Sequence, residues 1–241
     1  MTGPLLQTRG LGISFGGVHA VRDVDFCLEE GELRCLIGPN GAGKSTFFKL
    51  VSGQLAPSRG ECHFRGHAIA GLSTHRIARL GIAIKPQTPS VFDGLDVLEN
   101  LHLAAARSEG RSAARRRAGE VLERIALTGL AHRPVGDLAH GQRQWVELGM
   151  ILAARPRLAL LDEPAAGMTR DETDNTAALI RDINTDTGLI VVEHDMAFIR
   201  RIAGTVTVFH QGGILAEGSF ETVTRDARVR DAYLGREKRH A

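Results

Sequence analysis

Residues 38–46 read GPNGAGKST, a glycine-rich stretch that ends in Lys44, Ser45 and Thr46. Gly38, Gly41 and Gly43 let the backbone bend so that its N–H groups converge on an anion. Lys44 and the N-terminus of a following helix add positive charge. Together Gly38, Pro39, Asn40, Gly41, Ala42, Gly43, Lys44, Ser45 and Thr46 make a cradle for the β- and γ-phosphates of a nucleotide, with Ser45 a ligand for magnesium. The flanks suit a strand, a loop and a helix in that order. Leu33 to Ile37 is an apolar run of strand length, and Phe47, Phe48, Leu50 and Val51 open a helical pattern. The plainer alternative, a glycine turn beside a surface lysine, needs the fixed positions to coincide by chance.

Such a unit needs a sizeable core. A chain of 241 residues, 43% hydrophobic and 24% charged, can bury roughly 70 to 75% of its unfolded surface. The formal net charge of +2 says little about partners; a nucleic-acid binder more often shows a strong basic excess, although one local patch escapes a global count, and no nucleic-acid partner is expected. Cys27, Cys35 and Cys62 are odd in number and unpatterned, so reduced thiols in a cytoplasmic setting are expected. The opening residues lack a charged segment followed by an apolar one. No window approaches the roughly 18 apolar residues that a bilayer crossing needs. Any membrane role is expected to come through a partner.

The N-terminal third reads as β-rich, with strands at Leu11 to Phe15, Val18 to Leu28, Leu33 to Ile37 and Glu61 to Arg65, and a tight turn at Glu30 and Gly31. Helical spacing takes over at Val97 to Ala106 and Arg115 to Ile125, separated by the polar stretch Ser108 to Ser112, which suggests a helical subdomain. Alternation then resumes with a helix at Trp145 to Ala153, a strand at Leu158 to Leu161, a helix at Glu172 to Ile183 and a strand at Leu189 to Val192. Helix after strand implies a parallel sheet. Thr205 to His210 and Ile214 to Glu217 flank Gly212 and Gly213 as a hairpin, and Ser219 is placed to cap a last helix.

The segment LALLDE at 158–163 is the natural place for a metal-linked carboxylate. An apolar strand delivers Asp162 at its C-terminal end, where open α/β sheets bind ligands, and there it can hold Mg²⁺ through water. Glu163 follows, placed to polarise an attacking water. A plain pair of helix-capping acids is the competing reading.

These motifs, in their order and separation, resemble those of the ATP-binding subunit of an ABC transporter, and the likeness runs over nearly the whole chain. GPNGAGKST matches Walker A, Gln87 in IKPQTPS the Q-loop, LAHGQRQ at 138–144 the signature, LALLDEP Walker B, Ala166 to Thr169 the D-loop, and His194 in VVEHD the switch histidine. Phe15 stands where the family stacks adenine on an aromatic ring, against the alternative of a core phenylalanine. The resemblance implies an α/β P-loop ATPase with a RecA-like parallel-sheet core, an N-terminal antiparallel β subdomain and a helical signature subdomain. As one domain over 1–241, it would place the β subdomain and catalytic core at 1–87 and 155–241 and the helical part at 88–154. It also implies two ATP molecules with Mg²⁺ held between two head-to-tail subunits. Ala139, His140, Gly141 and Gln142 would serve the γ-phosphate in trans, and Glu163, His194 and Gln87 would carry the catalysis. Ser45, Gln87 and Asp162 would hold the metal.

This chain has Ala139 where the usual signature has Ser, His140 where it has Gly, and Thr169 where the D-loop is commonly acidic. Loss of the hydroxyl removes one γ-phosphate donor, from which unequal sites in a heterodimer are expected. Cys62, His63 and His67 are weak zinc candidates, because strand neighbours face opposite ways. Arg115, Arg116 and Arg117 are expected on a solvated helix face rather than against nucleic acid, and Trp145 is read as packing.

Within the family, HGQRQWVELGM, DEPAAGMT and VVEHDMAFIRRIA look most like urea importers of the branched-chain amino acid uptake branch. That implies two permease subunits, a second and different ATPase subunit or a second copy, and an extracytoplasmic solute-binding protein, with this chain at the cytoplasmic face of the inner membrane. Urea is the first expectation for the solute, with branched-chain amino acids or short amides as alternatives. A soluble ABC ATPase acting on ribosomes or DNA is the rival from another class, but it usually carries two cassettes or a long coiled coil.

Overall fold

The computed structural model describes residues 3–87 and 90–234. Residues 1–2, 88–89 and 235–241 are outside the described residues, and with them Thr88 and Pro89 of IKPQTPS and part of the expected 1–241 span with its boundary at 88.

Five strands come first: β1 (Leu6–Phe15), β2 (Val18–Leu28), β3 (Leu33–Ile37), β4 (Arg59–Phe64) and β5 (His67–Ala68). All but β3 form an antiparallel sheet of order β2-β1-β4-β5. β1 begins at Leu6, ahead of the expected Leu11. Its alternation is broken by a register shift between Thr8 and Leu11, where Gly10 takes φ 54°, so the pattern is legible only beyond the bulge.

β3 lies in a second sheet with β6 (Ile82–Lys85), β7 (Leu158–Asp162), β8 (Gly188–Val192), β9 (Thr205–His210) and β10 (Gly213–Gly218). The order is β10-β9-β3-β8-β7-β6, parallel throughout except for the β9–β10 hairpin. Both faces are covered, as a parallel sheet requires. Cys35, Leu161 and Val191 point into one apolar cluster, while their strand neighbours Leu36, Leu160 and Ile190 point into the other.

Helix α1 (Lys44–Val51) leaves the glycine loop and is wedged between the sheets. Its Phe47 ring meets Phe26 of β2 at 5.2 Å and Phe209 of β9 at 5.3 Å. Truncating so buried a ring to alanine costs about 3–5 kcal/mol, so the phosphate loop stands on a firmly held base. Helix α2 (Thr74–Leu80) follows. Then α3 (Val97–Ala105), α4 (Arg111–Arg124) and α5 (His140–Ala154) pack together through Leu101, Val121 and Leu148, all fully buried. Helices α6 (Arg170–Asn184) and α7 (Met196–Ile202) follow β7 and β8 in turn. Ser219 caps α8 (Phe220–Arg225), its hydroxyl accepting from the Thr222 N–H, and α9 (Ala227–Leu234) ends the described chain.

Arg117 corrects an expectation. Arg115 and Arg116 are exposed on α4, but Arg117 is turned inward and donates to the Leu152 carbonyl at 2.9 Å, satisfying an acceptor in the last turn of α5.

Candidate nucleotide site

The loop between β3 and α1 needs its glycines for reasons that can be named. Gly38 has φ 147° and lies so close to the Phe209 carbonyl that a Cβ would collide with it. Gly43, the N-cap of α1, has φ 107°, and a Cβ there would sit 2.6 Å from the Ala20 carbonyl oxygen. Only glycine fits such left-handed, crowded positions. Lys44 Nζ donates back to the carbonyls of Gly38 at 2.6 Å and Pro39 at 3.2 Å, holding its charge over the loop. Ser45 is exposed in the first turn of α1, where free N–H groups and the helix dipole favour an anion.

The carboxylates gather at the C-terminal ends of β7 and β8. Asp162 is the last residue of β7 and pairs with Val192. Glu163 then turns out of the strand with φ 46°, its N–H bonded to the Val192 carbonyl at 2.9 Å. A left-handed glutamate costs of order 1–2 kcal/mol, and that turn aims its carboxylate at two residues distant in the chain. Gln87 Nε2 donates to Glu163 Oε2 at 3.0 Å, and His194 Nδ1 lies 3.5 Å from Glu163 Oε1. His194 is largely exposed, so its ring faces outward beside Glu163 rather than into the core. Phe15 is also half exposed, 49% at the end of β1, which removes the core reading and leaves its ring free to stack.

Burial, with Glu163 adding to it, pushes the Asp162 carboxyl up from its ordinary range against the pull of Lys85, Lys49 and Lys44. A half-buried carboxylate beside a second one, short of compensating charge, is a donor set that suits a divalent cation.

Ala139, His140, Gly141 and Gln142 gather around the start of α5, against residues 166–172 of the same chain. Gln142 accepts from the Ala139 N–H at 3.2 Å, but Ala139 has no side-chain oxygen to return the bond. His140 Nε2 lies 3.1 Å from the Ala166 carbonyl, and Gly141 backs directly onto the Glu172 carboxylate. Thr169 caps α6 in a reciprocal box with Glu172.

Sequence reasoning passed over three buried charges here. Glu193 accepts from the N–H groups of Ala165 and His194, each at 3.1 Å, while burial pushes its carboxyl up. It thus ties the turn after Glu163 to the strand end bearing His194. Lys85 and Glu147 are the other two. An acid or base inside an apolar run, as in VVEHD and WVELGM, was the available signal.

With the loop, the strand-end carboxylates and the order of the elements in place, the comparisons agree. The model of the ABC transporter family matches residues 21–166, and the chain belongs to that family of ATP-hydrolysing cassettes. A second model, described as branched-chain amino acid ATP-binding cassette transporter, matches residues 214–239. The high-affinity branched-chain amino acid transport ATP-binding protein BraF of Pseudomonas aeruginosa is 36% identical over 98% of this chain and 99% of its own length. LivG of Escherichia coli, with the same description, is 34% identical over 98% and 99%. The lipopolysaccharide export system ATP-binding protein LptB of Acidithiobacillus ferridurans is 34% identical over 96% and 97%. Among solved structures, the ADP conformation of an ATP-binding cassette of an ABC transporter superposes with a TM-score of 0.87 at 26% identity, covering 97% of this chain and all of that one.

Proposed function

We propose that this chain is the ATPase subunit of an importer for branched-chain amino acids. The family-model match over residues 214–239 carries the choice of solute, since cassettes about equally similar overall serve both amino acid transport and lipopolysaccharide export. The expectation of urea finds no support in the comparisons, and the amino acid alternative fits them better.

In this reading the glycine loop and Lys44 hold the β- and γ-phosphates, and Phe15 stacks on the adenine. Ser45, Gln87 and Asp162 would hold Mg²⁺, which when bound neutralises phosphate charge. Glu163 polarises the attacking water and is kept in place by Gln87 and by its own left-handed backbone. His194 orients the γ-phosphate end of the site. Residues 139–142 complete the site of a partner cassette, so each ATP is enclosed by two chains and its cleavage loosens the pair. The partner cassette is a second copy or a different ATPase subunit.

No helix among the described residues is long and apolar enough to cross a membrane. In this reading permease subunits supply the channel, and an extracytoplasmic protein delivers solute. A cavity of about 450 Å³ between the sheet and the helices offers them a docking place. Phe92 and Leu103, 55% and 44% exposed, line it with Met150, and exposed apolar side chains beside a groove are a common mark of a protein interface. This chain would then lie against the cytoplasmic face of the inner membrane.

Two measurements test the reading. Glu163→Gln is expected to lower ATP turnover about 10²- to 10⁴-fold while leaving ATP bound; unchanged turnover would remove Glu163 from catalysis. Cells carrying the chain with its permease and binding proteins are expected to take up labelled leucine in an ATP-dependent way. Uptake of urea instead of leucine would reverse the choice of solute.

A further inference from the structure

Glu147, in the middle of α5, holds the chain on both sides of Gln87. Its Oε1 accepts a short hydrogen bond from the Ser90 N–H, downstream of the glutamine, and its Oε2 pairs with Lys85 Nζ at 3.5 Å, upstream of it. Both charged side chains are buried, with 1% and 4% of their surface exposed. A buried pair of this kind costs much of its Coulomb energy in desolvation, so it is weak evidence for stability alone.

The neighbouring contacts point the same way. Lys85 ends β6 beside Leu161 of β7, next to Asp162. Arg143, one turn before Glu147 on α5, pairs with Asp93 at 2.6 Å. The fully buried Asn100 of α3 brackets Phe92, accepting from its N–H at 2.9 Å and donating to its carbonyl at 3.1 Å. Residues 90–93 are therefore gripped by α3 and α5, while residue 85 is fixed in the sheet, and Glu147 touches both flanks.

We propose that Glu147 is a positioning residue: paired with Lys85, it couples the placement of Gln87 against Glu163 to the orientation of α5, whose first turn carries residues 140–142. The inference rests on the nucleotide reading of Gln87 and Glu163. A shift of Gln87 on nucleotide binding is passed through the two flanks to a single carboxylate and so to the whole helix. A rigid helix with a buried anchor transmits such a shift, whereas a solvated loop would dissipate it.

Trp145, the sole tryptophan of the chain, lies two positions before Glu147 on α5. It donates to Thr176 Oγ1 of α6 at 2.9 Å, so its fluorescence reports how α5 sits. The test uses the full-length chain. Glu147→Gln alone strands the Lys85 charge and is expected to destabilise the fold. The double variant Lys85→Met with Glu147→Gln removes both charges yet keeps an acceptor for Ser90, and it is expected to fold. Its affinity for Mg²⁺-ATP, measured by calorimetry, is expected to stay within about twofold, while the ATP-induced change in Trp145 fluorescence disappears and turnover falls at least about fivefold. Adding Gln87→Ala to it should cost less turnover than the same change costs the unmodified chain, because part of what the glutamine's placement supplies is already lost. A folded double variant with a full fluorescence response and full turnover would show the pair to be structural only and overturn the inference, leaving the ATPase reading intact. Failure of the unmodified chain to bind Mg²⁺-ATP would overturn the nucleotide reading, and the inference with it.

Discussion

Glu163 shows how one residue's backbone can decide its chemistry. Its identity and its place after an apolar strand are visible in LALLDE, but its left-handed conformation, and hence the direction of its carboxylate, is not. The three thiols divide in the same manner. Composition marks all of them as free, whereas the fold exposes Cys27 and buries Cys35 and Cys62. Burial pushes the Cys35 and Cys62 thiols up to about 12, from 9.0. Titration of the native chain with a thiol reagent at pH 8 is expected to modify Cys27 alone, slowly, because burial and its bond to Glu29 raise that thiol as well. All three should react after denaturation. Prompt modification of more than one thiol in the native state would contradict the packing of β3 and β4.

Long, periodic elements were legible at the scale of whole helices and strands. α5 and α6 show a helical period over enough residues to stand out, and β3, β7, β8 and β9 stand out as apolar runs bounded by turn residues. β6 and α2 escaped notice because four or seven residues are too few for a period to emerge, and β6 is recognisable only through its pairing with β7. Helix α5 also shows what a local departure does. With Ala139 at its N-cap, an N–H of its first turn lacks the side-chain acceptor that serine would supply. Ala139→Ser is expected to stabilise the chain by about 1 kcal/mol, a rise in melting temperature of about 2–4 °C for a chain of this size. If the missing hydroxyl also weakens the signature toward a partner's ATP, turnover in the assembled pair should rise too. A higher melting temperature without faster turnover would assign the residue to helix stability alone.

The buried thiols give the whole molecule a pH dependence whose direction follows from proton counting. Above pH 9.0 the unfolded chain releases the protons of Cys35 and Cys62, while the folded chain keeps them until about pH 12. The unfolded state then binds fewer protons, so stability is complete below pH 9 and falls as pH rises from 9 toward 12, by up to about 1.4 kcal/mol per pH unit for each thiol. Tyr233, pushed by burial to about 12 from 10.0, adds to the loss from pH 10 upward. Urea denaturation between pH 8 and 11 should show the decline, and replacing both cysteines with alanine should flatten it between pH 9 and 10 and leave only the Tyr233 part above pH 10.

What the sequence determined by itself was every feature encoded by neighbours along the chain: the phosphate loop, the apolar strands on either side of the catalytic core, and the order of motifs that marks the family. These are local because each depends on backbone geometry over a few consecutive residues. The tertiary structure alone decided which distant groups meet. Gln87 reaches Glu163 across 76 positions and Ser90 reaches Glu147 across 57, and no local preference encodes such contacts. They form only when the sheet and the packed helices close those long loops, because burial of the two apolar clusters outweighs the entropy of bringing the ends together.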